Sequence, residues 1–335
     1  MTLTTSRRVA LAAGALAGAF ALAPVAATAA PDAGSVTRIA GADRYEASAN
    51  ISAASYAPGV SVAYVASGQV FTDALSGAPV AGKLGGPVLL TRPDELPSAV
   101  SAELERLKPQ KIVIFGGTAT ITGAVTNALK KLAPEVERVA GQTRYSTSAK
   151  ISSLNYEPNP TTAYVASGEV FPDALSGAPV AGKTPGPLLL VEGDGVPGVV
   201  KKELTRLTPQ RIVVLGGENT IDAETYSFLT RFTTGSVSRW SGADRFSTSA
   251  TISANAFANT GGTVYVASGR VFADALSAAP VAGRDAAPVL LVDSDAIPAS
   301  IDTELKRLKP NKIVVVGGPA SVSTGVEAQL QKYLG

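Results

Sequence analysis

Phe71-Thr72-Asp73-Ala74-Leu75-Ser76-Gly77-Ala78-Pro79-Val80-Ala81-Gly82-Lys83 is the stretch on which the reading of this chain turns. It returns from Phe171 to Lys183 and again from Phe272 to Arg284. Nearly all its residues are small, so from Asp73 to Gly82 it reads as a helix able to lie close against a sheet, with Pro79 expected to kink or break it. The flanks repeat too. Val36 to Tyr45 returns as Val136 to Tyr145 and Val237 to Phe246, and Tyr64-Val65-Ala66-Ser67-Gly68 returns at Tyr164 and Tyr265. Pro87-Val88-Leu89-Leu90 recurs at Pro187 and Pro288, and Lys111-Ile112-Val113-Ile114-Phe115-Gly116-Gly117 recurs at Arg211 and Lys312. A period of about 100 residues marks domain duplication, because a unit that long buries a core alone, whereas solenoid units of about 20 to 50 do not. The units are placed at 35–135, 136–236 and 237–335. Neither a Gly/Ser linker nor a charge run separates them, so they are expected to pack together.

Within the first unit the periodicity alternates. Tyr45 to Ser55 has helical spacing behind Asp43 as N-cap, and Val62 to Ala66 is a short apolar strand. Pro87 to Leu90 is a second strand, Pro97 to Leu107 a helix with Pro in its first turn, and Ile112 to Phe115 a third strand. Thr122, with Asp222 and Ser323 in the other copies, caps a last helix. Continuous apolar strands between helices predict an α/β unit whose mostly parallel sheet is covered on both faces, a small Rossmann-like sandwich.

The chain has 335 residues with no Cys and no His. That excludes disulfides, Cys/His zinc sites, thiol nucleophiles and imidazole acid–base chemistry, leaving carboxylates, Lys, Arg, Ser and Tyr for any catalysis. Arg7 and Arg8 precede an apolar run from Val9 to Ala23, and Ala27-Thr28-Ala29 supplies small cleavage-site residues. Residues 1–29 are therefore expected to be an export signal, by the ordinary secretory or the twin-arginine route, with a mature start near Ala30. The run is shorter than the roughly 20 residues of a spanning helix. Without Arg7 and Arg8 the counts are 27 basic and 27 acidic residues, so bulk attraction to nucleic acid or membrane is not expected. Lacking Cys and an apolar C-terminal tail, the exported chain is expected to be held at the surface non-covalently, with no transmembrane segment.

The blocks Ala40-Gly41-Ala42-Asp43-Arg44-Tyr45, Val65-Ala66-Ser67-Gly68 followed by Phe71-Thr72-Asp73-Ala74-Leu75-Ser76, Pro87-Val88-Leu89-Leu90 and Lys111-Ile112-Val113-Ile114-Phe115-Gly116-Gly117 resemble the cell wall-binding repeat 2 family of Gram-positive surface proteins. The resemblance covers all three units in fixed order. It implies toprim- or Rossmann-like modules in a pseudo-threefold ring and non-covalent attachment to an anionic wall polysaccharide or teichoic-type polymer. It also implies a monomer with an internal pseudo-trimer. Family members often carry a separate effector domain, and here the three units take up the expected mature chain.

Candidate ligand contacts follow from the repeated polar positions. Arg44, Arg144 and Arg245 offer planar forks to phosphate or carboxylate, or else tie a helix end to a carboxylate. Lys83, Lys183 and Arg284 keep a positive charge near the end of the small-residue helix, for its dipole or for polymer. Ser67, Ser167 and Ser268, with the glycines after them, end a strand where backbone N–H groups can hold an anion. Asp73, Asp173 and Asp274 read as structural caps or ion-pair partners. Asp94, Asp194 and Asp295 add carboxylates at the same edge, without calcium-loop spacing. Neither the Ser67-Gly68 turn nor the Gly116-Gly117 turn carries a G-x-G-x-x-G or a Walker Lys, so no cofactor is expected. Each copy keeps the same polar set, which favours a binding module over the alternatives: a carboxylate-based wall hydrolase, or a coat or adhesion protein binding other chains.

Overall fold

A computed structural model describes residues 34–258 and 261–335. The expected export signal lies outside the described residues. The first repeat runs β1 (Ser35–Ile39), α1 (Arg44–Ser55), β2 (Val62–Ser67), α2 (Thr72–Leu84), β3 (Val88–Thr91), α3 (Ser98–Leu107), β4 (Lys111–Phe115) and α4 (Gly123–Leu129). The second follows as β5 (Glu135–Val139), α5 (Arg144–Asn155), β6 (Ala163–Ser167), α6 (Pro172–Lys183), β7 (Leu188–Val191), α7 (Gly198–Leu207), β8 (Arg211–Leu215) and α8 (Ala223–Leu229). The third is β9 (Ser236–Trp240), α9 (Arg245–Ala256), β10 (Thr263–Ser268), α10 (Phe272–Arg284), β11 (Val289–Val292), α11 (Ala299–Leu308), β12 (Lys312–Val316) and α12 (Thr324–Leu330). Three all-parallel four-stranded sheets result, ordered β3-β2-β4-β5, β7-β6-β8-β9 and β11-β10-β12-β1. This is the expected α/β architecture, three homologous units arranged with pseudo-threefold symmetry.

The sequence pattern shows three strands per unit, and the structure adds a fourth. β1, β5 and β9 are edge strands, partly exposed and interrupted by Arg or Glu, so their apolar pattern is weak. Each joins the sheet of the preceding repeat: Val136 registers with Ile112, Val237 with Ile212, and Val36 with Ile313. β1 therefore closes the ring by completing the last sheet. Arg38 pins this closure. Its Nε and Nη2 reach Glu327 Oε2 at 3.0 and 2.8 Å, and its Nη1 donates to Gly317 O at 2.6 Å. Arg138 and Arg239 make the corresponding bonds to the Gly116 and Gly216 carbonyls at 2.6 and 2.9 Å.

The outer edge of each sheet is closed by a helix. β3 has no strand beyond it, and its Leu90 N–H donates to Ser48 Oγ on α1 at 3.0 Å, as Leu190 and Leu291 do to Ser148 and Ser249. α1 packs on α3 through Glu103, only 5% exposed, which takes the Ser52 hydroxyl at 2.5 Å and is paired with Arg106. Arg106 also donates to Tyr56 O at 2.8 Å, capping α1.

At the centre, α2, α6 and α10 pack on one another. A Cβ on Gly182 would lie 3.3 Å from Gly283 Cα, and one on Gly82 would lie 3.1 Å from Pro280 O, so these positions admit little more than hydrogen. Pro79, Pro179 and Pro280 lie inside unbroken helices. The expected break does not occur because residues 72–82 are all buried, and that packing outweighs a penalty of about 3 kcal/mol. Where α2 crosses its own sheet, a Cβ on Gly77 would overlap the Phe115 ring, and one on Gly177 would overlap Leu215. The third unit has Ala278 over the smaller Val316, so helix and sheet volumes vary together. Gly77→Ala is expected to cost about 1–3 kcal/mol. Combined with Phe115→Val it should cost less than the sum of the two single changes, by about 0.5–3 kcal/mol. Urea denaturation of the four proteins checks this, and strict additivity would contradict the packing described.

Candidate functional site at the unit junctions

The parallel strands point their C-terminal ends to one edge, where the N-termini of α1 and α2 and their counterparts also lie. Arg44, Arg144 and Arg245 open α1, α5 and α9 there. One Nη1 of each donates to the carbonyl after the second strand, Gly68 at 2.6 Å, Gly168 at 2.5 Å and Gly269 at 2.7 Å. A single anchored N–H fixes each guanidinium, and among the described residues its other donors make no protein hydrogen bond. Asp43, Thr143 and Asp244 cap the same helices, with Thr143 supplying a neutral cap in the second copy.

Asp73, Asp173 and Asp274 sit in the first turns of α2, α6 and α10, only 6, 6 and 8% exposed. Burial raises the pKa of all three. A hydroxyl opposes that effect in each case: Thr147 at Asp73, Thr220 at Asp173 (3.3 Å) and Ser321 at Asp274 (3.1 Å). So does an arginine from the next unit round the ring, Arg144, Arg245 and Arg44 respectively, without a direct ion pair. Each Arg and Asp therefore face one another across a junction between units. Asp73, Gly117, Thr120, Thr143 and Arg144 line a cleft of about 710 Å³ between units one and two. The matching Asp173, Gly217, Thr220, Asp244 and Arg245 line one of about 160 Å³ between units two and three.

The other candidate residues have different surroundings. Ser67, Ser167 and Ser268 are buried, and their hydroxyls accept from the turn that follows: Gln69 and Val70 N–H at 3.1 and 3.2 Å, Glu169 N–H at 3.1 Å and Arg270 N–H at 3.1 Å. Lys83, Lys183 and Arg284 lie at the far ends of their helices, about 20 Å from the arginines' edge at 1.5 Å per residue. Lys83 Nζ donates to Asn155 O at 2.9 Å and sits 4.6 Å over the Tyr156 ring. Lys183 does the same with Ala256 O and Phe257, and Arg284 with Ser55 O and Tyr56. Each basic residue thus caps the last turn of the next unit's helix. The two basic series, both offered by the sequence as ligand contacts, are not brought together. Asp94, Asp194 and Asp295 are exposed on the rim, and among the described residues no group of three or more carboxylates is placed to hold a metal ion. Thr147, Thr220 and Ser321 were not singled out from sequence. Thr220 and Ser321 share the register of Thr120, Thr147 lies on α5 at another register, and a hydroxyl residue is too common a signal at either.

A raised native pKa sets the sign of a pH effect. Below the unfolded value near 4, Asp73 is protonated in both states and costs nothing. As pH rises, the unfolded chain ionises first and the folded state loses stability through the higher native pKa. Asp73→Asn should therefore gain on wild type between pH 3 and pH 7, by about 1.4 kcal/mol for each pH unit by which burial has raised the carboxyl. Urea denaturation at both pH values measures this. A pH-independent difference would mean that Asp73 ionises as freely folded as unfolded.

Comparison with known proteins identifies the three repeats. The profile of the cell wall binding domain 2 (CWB2) family matches residues 38–126, 138–226 and 239–327. N-acetylmuramoyl-L-alanine amidase LytC of Bacillus subtilis (strain 168) is 27% identical over 297 residues, 89% of this chain and 58% of the amidase. The amidase enhancer of the same organism is 31% identical over 295 residues, 88% of this chain and 40% of the enhancer. The chain thus spans about half the length of these curated relatives. Among solved structures, Cwp8 from Clostridium difficile superposes with a TM-score of 0.80 at 26% identity, covering 90% of this chain and 52% of Cwp8. Cwp6 from the same organism superposes with a TM-score of 0.84 at 23% identity, covering 90% of this chain and 48% of Cwp6, a likeness of fold. Three matches to one family profile, in register with three structural repeats, place the chain in the CWB2 family of cell wall binding domains, associated with the cell wall or surface.

Proposed function

We propose that this protein is exported and attaches non-covalently to an anionic polymer of a Gram-positive wall, acting as a binding module and not as a hydrolase. The observation that carries the reading is the set of three arginines, each fixed by one hydrogen bond to a strand-end carbonyl and each facing a junction between units. A guanidinium held this way has lost little further entropy when its remaining N–H groups engage phosphate or carboxylate. The carboxylates opposite are largely buried, which disfavours their charged form. Three weak sites on one edge suit a repetitive ligand: after one engages, the next meets an effective concentration of order mM, which raises avidity about 10²–10⁴-fold. Screening of each contact by salt makes the attachment reversible.

The test is sedimentation with walls before and after removal of their anionic secondary polymers. Binding is expected to vanish on stripping; unchanged binding would point to peptidoglycan or protein instead. The triple change of Arg44, Arg144 and Arg245 to Gln should weaken binding far more than any single change. Full binding by a normally folded triple variant would assign these arginines to structure alone.

A further inference from the structure

The three junctions share a centre. Phe71, Phe171 and Phe272 open the three central helices, and their rings meet pairwise with centroids 5.9, 5.6 and 5.9 Å apart in tilted and edge-on contacts. They are only partly buried and pack against the hydrophobic core. Val70, Val170 and Val271 precede them, and Val170 is 39% exposed. Val70 lines the cleft of Arg144, Val170 lines that of Arg245, and Arg44 holds its guanidinium 5.6 Å from the Phe272 ring. The ring edge thus carries an axial plate of three mutually tilted rings with the adjoining valines, Arg44 against one ring, and Arg144 and Arg245 sharing clefts with Val70 and Val170.

We propose that this axial plate is itself one composite binding site, which takes a single pyranose unit bearing a carboxylate or phosphate. The apolar C–H face of the sugar lies on the Phe and Val side chains, and its anionic substituent reaches one of the bordering arginines. Aromatic side chains with a few convergent polar groups are the usual lining of a small-ligand site, and a part-exposed apolar patch beside cations selects an amphipathic anion. Each unit supplies one Phe, one Val and one Arg, so no unit alone contains the site. This rests on the wall-attachment reading and deepens it: the axis holds one sugar of the polymer, and the clefts lead the chain away from it.

Val170→Asp tests the plate by placing a negative charge on it at an exposed position. Val199→Asp, at 42% exposure on α7, is the matched control away from the axis. With polymer-bearing walls, Val170→Asp is expected to weaken sedimentation at least tenfold at unchanged Tm, and Val199→Asp to bind like wild type. Phe171→Leu, which keeps the bulk and loses the flat face, should weaken it severalfold. Titration calorimetry with single-repeat fragments of the released polymer should resolve one fragment bound more tightly than the rest, and Val170→Asp should remove that class alone. Wild-type binding by Val170→Asp, or three fragments bound equally well, overturns the axial site while leaving wall attachment standing. Failure of wild type to sediment with polymer-bearing walls overturns both.

Discussion

The rest of the structure depends on how closely three helices approach at the pseudo-threefold axis. α2, α6 and α10 bring backbone against backbone, with Gly182 and Gly283 in direct contact and Gly82 against the Pro280 carbonyl. Only small side chains allow this, which is why each helix is built from Gly, Ala, Ser and Pro around a few Val and Leu. The close approach has two consequences. At one end it gathers three phenylalanines at the axis. At the other it brings Lys83, Lys183 and Arg284 within reach of the next unit's helix terminus, where each is held by a carbonyl and an aromatic ring. The ring is then closed by a strand, β1 on β12, and by Arg38 on Glu327.

The candidate site follows from that closure. A single unit has an arginine at its first helix and a buried Asp on its second, but they face different neighbours: Asp73 looks to Arg144, Asp173 to Arg245 and Asp274 to Arg44. Every cleft is therefore shared. The three clefts are not copies, because their rims have diverged. In the second junction Arg270 grips Asp293 at 2.7 and 2.9 Å, and in the third Arg92 reaches Asp43 at 3.4 Å. In the first junction those positions are Glu169, Glu192 and Thr143, and the cleft is the larger of the two measured.

Much of this was legible in the sequence. The hundred-residue repeat, the small-residue helix, the buried strands and the Asp43 cap all appear where periodicity and capping rules put them. The fourth strand was not legible: Thr37 and Arg38 break its apolar pattern, and its partner lies in another repeat, some 275 residues away for Arg38 and Val315. The buried Glu103–Arg106 clamp was equally hidden, since Glu and Arg three apart on a helix usually mark a solvated face. The serines at the strand ends looked open to an anion because sequence does not show which way a hydroxyl turns. They turn inward, to hold the following loop. The arginines and aspartates were visible as repeated residues, while their pairing between neighbouring units came only with the ring.

If the three units are one closed body, they should lose structure together. Scanning calorimetry of the chain tests this most directly. One transition is predicted, with calorimetric and van't Hoff enthalpies equal for the whole ring. Two or three resolved transitions, or a van't Hoff enthalpy about three times smaller than the calorimetric one, would show units that unfold independently and would contradict a site built from all three.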